Sequence, residues 1–76
     1  MSFKEFDTVV MKADMSNHGL KSGDVGAVVQ VCSADAIEAD FVTATGHAQA
    51  LVTLMTKLVR PFGPKDILAV RQLDAA

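Results

Sequence analysis

Residues 18–31 read "HGLKSGDVGAVVQV". A polar stretch carrying Gly19 and Gly23 runs straight into a valine-rich one, Val25, Val28, Val29 and Val31, with Gly26 between them. Glycine supplies backbone angles that other residues resist. Valine favours the extended, half-buried backbone of a strand. Together they read as a turn feeding a sharply curved strand, with Gly23 and Gly26 where the strand begins to bend. Asp24, between them, is placed to cap the turn through its carboxylate. Alternation over residues 25–32 puts Val25, Ala27, Val29 and Val31 on one face and Gly26, Val28, Gln30 and Cys32 on the other. The face richer in valine is the expected inner one.

Working outward, "FDTVVMK" (6–12) is β-branched at its centre and reads as a first strand. Residues 13–24 hold Asp14, Ser16, Asn17, Gly19, Ser22 and Gly23, the residue types of a long turn-rich loop. Beyond the second strand, "SAD" (33–35) is a tight turn. "AIEADFV" (36–42) alternates cleanly, Ile37, Ala39 and Phe41 against Glu38 and Asp40. "TATG" (43–46) signals a hairpin, and "HAQALVTL" (47–54) is a fourth strand. "MTK" (55–57) has room for one 3₁₀ turn. "LVRPF" (58–62) is a short fifth strand, confined to an edge by Pro61, which has no amide to donate. "ILAVRQL" (67–73) admits a strand, from Ile and Val, or a short helix, from Ile67, Val70 and Leu73 at three-residue spacing; strand is the expectation.

Five short strands with one long loop, two tight hairpins and a single turn before the last describe an all-β chain: a small five-stranded SH3-like barrel over residues 1–62, with a C-terminal extension, 63–76, adding a strand or short helix. The expected core is Val9, Val25, Val29, Val31, Ile37, Phe41, Val52, Leu54 and Leu58. "GDVGAVVQV" resembles the turn-and-strand element of SH3-like and KOW-type barrels, including that of the nitrile hydratase β-subunit. "FDTVVMKADMSNHGLKSGDVGAVVQV", "ADFVTATGHAQALVTL", "LVRP" and the terminal "ILAVRQL" together resemble an uncharacterised family of small stand-alone bacterial proteins. That resemblance implies a fold and no activity.

At 76 residues with net charge −2, the chain is one small domain with little surface to bury. Its seven Lys and Arg residues are scattered, unlike the clustered charge that neutralises phosphates. A single cysteine, Cys32, excludes an internal disulfide and fits a reducing cytoplasm. "MSFKEFDTVV" lacks the apolar run of a signal peptide, and no stretch reaches the roughly 20 apolar residues of a membrane span.

No residue pattern carries chemistry. His18 and His47, the two histidines, lack the convergent partners of a metal site. Glu38 and Asp40 share one face of a strand, as the wet side of any half-exposed strand would have it. Cys32 has no base beside it in sequence. Ser16 and Ser22 stand outside any nucleophile elbow, and "HGLKSG" lacks the spacing of a phosphate loop. With four Phe, no Trp and no Tyr, the chain lacks the aromatic groove that grips proline-rich peptides, and with Phe41 expected inward the stacking of RNA bases on exposed rings is weakened as a reading.

What remains is an apolar surplus: half of the residues are hydrophobic, more than a core this small readily absorbs. The expectation is a non-enzymatic, cofactor-free interaction module of the cytoplasm. It would self-associate or dock a protein partner through Val28, Leu51, Ile67, Leu68 and Val70, as an antitoxin-like or accessory protein. The alternatives are a KOW-type nucleic-acid-binding barrel, using Lys12, Lys21, Lys57 and Arg60, and an accessory subunit of a larger enzyme.

Overall fold

The computed structural model describes residues 3–44, 46, 48–68 and 70–73. Five antiparallel strands form one open sheet: β1 (Thr8–Met11), β2 (Val25–Ser33), β3 (Ala36–Val42), β4 (Ala48–Met55) and β5 (Val59–Pro61), in the order β4-β3-β2-β1-β5. β4 and β5 are the edges, and Pro61 ends the shorter edge, where no neighbour needs its amide. A 3₁₀ turn over Thr56–Leu58 leads from β4 to β5.

The turn chemistry is where the sequence places it. Gly23 has φ 94°, a conformation costly for any residue with a Cβ, and its amide donates to the Met11 carbonyl at 2.8 Å. The carboxylate of Asp24 accepts the Lys21 amide at 2.9 Å. Gly46, at φ 82°, closes the hairpin between β3 and β4 with a bond to the Thr43 carbonyl. The long loop after β1 is itself ordered. Met15 bridges Leu20, the Ser22 amide donates to Asp14, and Leu20 turns into the core.

The core comprises Val9, Met11, Leu20, Val28, Ile37, Ala39, Phe41, Val52, Leu54 and Val59, with Phe3, Met15 and Ala50 packed against it. Val10 is also buried, so β1 is covered on both faces. The expected core holds at Val9, Ile37, Phe41, Val52 and Leu54 and fails on β2. Val28, expected outside as a partner contact, is fully buried, while Val29 and Val31 are 38% and 41% exposed and Val25 is half-buried. Two features reverse the face. Gly26 is buried beneath the Phe41 ring, which occupies the space a side chain there would need. Val28 pairs with Ala39 and Gln30 with Glu38, so Val29 is an extra residue, a β-bulge. A bulge breaks the two-residue period, and faces read through it come out inverted. Beyond it Val31 stands opposite Ile37, towards the exposed end of the strand.

Two smaller differences lie at β5 and the C-terminus. Leu58 ends the 3₁₀ turn and is half-buried, and Val59, opposite Met11, takes the core position. The described residues of 67–73 form neither strand nor helix. This segment follows β5, and its Arg71 bonds to Asp24 and Gly19 in the loop before β2.

Candidate functional site

Three segments meet at one end of the sheet: the turn 19–25, the end of β3 with the turn after it, and, from the C-terminal segment, Leu68 with residues 70–73. Between them lies a groove of about 480 Å³. Leu20, Val25, Phe41 and Val42 line it from the body, and Leu68 and Leu73 from the C-terminal segment. Its polar groups are Asp24, Arg71, Thr43 and Gln72.

Asp24 and Arg71 are held face to face. Arg71 donates from Nε to Oδ1 of Asp24 at 2.7 Å and from Nη2 to Oδ2 at 2.6 Å, a bidentate pair of the strong, planar kind. Nη2 also donates to the Gly19 carbonyl at 2.9 Å. The Lys21 amide fixes the carboxylate from the other side. The Arg71 bond, helped by that amide, holds the Asp24 carboxyl below its ordinary value of 3.8, against a smaller upward push from burial. A second pair sits at the root of the segment. Arg60 donates to both oxygens of Asp66, at 2.7 and 3.0 Å, and the Gly63 amide adds a third bond at 2.6 Å. Asp66 is likewise lowered, first by Arg60 and then by Gly63.

The sign of the linkage follows. A carboxyl depressed on folding contributes its stabilisation fully above its unfolded value and loses it as pH falls through the folded one. The Asp24–Arg71 contact is therefore complete at neutral pH and lost only in acid, below 3.8. A carboxyl-carbon NMR titration should place Asp24 below 3.8, and Arg71→Gln should return it towards that value. An unmoved midpoint in the variant would exclude Arg71 as the cause.

The expected contact residues separate. Val28 lies in the core, fully buried. Leu51 is 59% exposed on β4, opposite Asp40. Ile67, Leu68 and Val70 are 91%, 63% and 96% exposed, and of these Leu68 and Val70 border the groove. Sequence reading missed Asp24 as the anchor of the tail and Arg71 as its counterpart. The two are 47 positions apart, and no local pattern joins them.

His18 is exposed on the 3₁₀ turn Ser16–His18, and Cys32 is exposed near the end of β2. His47 lies outside the described residues. Glu38 and Asp40 share the outer face, and Oδ1 of Asp40 is buried without a hydrogen-bond partner. Among the described residues no three His, Cys, Asp or Glu stand close enough to hold a metal ion, and no helix is long and apolar enough to cross a membrane.

No curated protein and no solved structure matches the chain. A family match covers residues 5–61, ending with β5 and leaving the C-terminal segment outside it. The chain thus belongs to the family described as a domain of unknown function (DUF4926).

Proposed function

We propose that this chain is a small non-enzymatic interaction module that associates with itself, or with a protein partner, through its C-terminal segment. The observation that carries this reading is the near-complete exposure of Ile67 and Val70, with Leu68 beside them, on a segment pinned to the body by Arg71. An ordered, outward-facing apolar segment is a binding element. Burying these three side chains would contribute roughly 1.5–3 kcal/mol each before the costs of association. The strand order, with a 3₁₀ turn before β5, supports reading the sheet as an SH3-like half-barrel, a scaffold that works by contact rather than catalysis. One exposed cysteine fits a reducing cytoplasm, and the resemblance to small bacterial proteins makes an antitoxin-like or accessory role the natural form of the module.

Deleting residues 66–76 and measuring mass by light scattering tests the self-association. We expect an oligomer for the full chain and a folded monomer for the truncated one. Monomers in both would overturn self-association and leave only a heterologous partner.

A nucleic-acid-binding barrel of KOW type draws on a separate observation. The Lys12 amide bonds the Leu58 carbonyl and its own carbonyl takes the Ser22 hydroxyl, bringing together the segments that carry Lys12, Lys21 and Lys57. Against it, Asp14 and Asp24 share those loops and Arg60 is engaged by Asp66. Binding to oligonucleotides that weakens steeply with salt would favour this reading over the first.

A further inference from the structure

We propose that residues 66–68 and 70–73 belong to a strap, hinged at the Arg60–Asp66–Gly63 cluster and latched across the groove by Arg71 on Asp24 and Gly19, and that undoing the Arg71 latch opens the groove without unfolding the sheet. The inference rests on the two clasps and is independent of what docks on the segment.

The strap is fastened at both ends by the same chemistry and weakly in between. At its root, Asp66 takes two bonds from Arg60 and one from the Gly63 amide, which locks the turn after β5. At its far end, Arg71 forks onto Asp24 and reaches the Gly19 carbonyl. Between the clasps, Ile67 and Val70 face solvent almost completely, so apolar burial there contributes little. Beneath lies the open groove of about 480 Å³, so the strap is not packed down on its floor. Segments with few buried contacts are drawn from the low-stability end of a fold and open locally. The latch site is also prepared in advance. Asp24 is oriented by the Lys21 amide within a turn set by Gly23, so closing the strap requires only Arg71 to arrive. Opening would uncover Leu20, Val25, Phe41 and Val42 while β1 to β5 keep every ladder bond.

Backbone order parameters of the full chain test this. In the wild type, residues 67–73 should approach the ~0.85 of rigid backbone, and Arg71→Gln should drop them below ~0.6. Gly63 and Asp66 should stay rigid, and the sheet should still unfold in a single cooperative transition. Asp24→Asn, which retains an acceptor for the Lys21 amide, should free the strap equally. Four results would overturn the proposal: a strap still rigid in either variant, a strap already mobile in the wild type, a root that loosens together with the tip, or an Arg71→Gln protein that fails to fold.

Discussion

Val28→Asp is expected to leave no folded protein, whereas the same substitution one residue on, Val29→Asp, leaves the fold intact. Val28 is fully buried opposite Ala39, at the centre of the sheet. No cationic group lines the core there, all of whose members are apolar. An uncompensated carboxylate in such a place costs several kcal/mol even after relaxation. The lost valine packing adds to it. A 76-residue domain has roughly 4–11 kcal/mol of stability in total, so the substitution consumes most or all of it. Val29 is the bulge residue, with its side chain partly in water. Its replacement should cost about 1 kcal/mol, the scale of a strand-propensity change at an exposed site. Thermal melts followed by circular dichroism decide the pair. A native-like transition for Val28→Asp, or an unfolded Val29→Asp, would mean that the inner face of β2 is the one with more valines after all.

Gly26→Ala should also destabilise, although alanine in a strand ordinarily does better than glycine. A Cβ at position 26 would lie 2.6 Å from Cε2 of Phe41 and 2.8 Å from its Cδ2 and Cζ. Carbon atoms pack at about 3.5–4.0 Å. Phe41 is buried with Val9, Val28 and the rest of the core and borders the groove, so a methyl at position 26 would have to push its ring off that packing towards the groove. Overpacking of this kind costs roughly 1–3 kcal/mol. At this chain length that lowers the melting temperature by roughly 5–20 °C. Phe41→Leu supplies the control: combined with Gly26→Ala it should recover part of the loss, as contacting residues couple. An unchanged or raised melting temperature for Gly26→Ala alone would show that the ring does not press on this backbone.

These substitutions mark how far the sequence could be read. β3 and β4 were legible because their alternation runs unbroken over the inner positions: Ile37, Ala39 and Phe41 on one, Val52 and Leu54 on the other. β2 was legible as a strand and illegible as a surface. Its four valines fall on both sides of a bulge, and counting apolar residues cannot reveal where a ladder skips one. The groove was less legible still. Its apolar floor comes from the loop after β1, from β2 and from β3, and its latch from a residue near the other end of the chain.

The sequence by itself determined the local conformations. It specified an all-β chain, a turn needing Gly23, a hairpin closed by Gly46 and a fifth strand stopped at an edge by Pro61. Each follows from the backbone preferences of a few adjacent residues. Tertiary structure alone decided which side of β2 is the inside, because the Phe41 ring fills the space above Gly26 and the bulge at Val29 shifts the period. It alone also decided the form of "ILAVRQL", which could have been strand or helix by pattern. Its described residues form neither, and Arg71 within it is bonded to Asp24; a charge pair across 47 positions exists only once the sheet between them has folded.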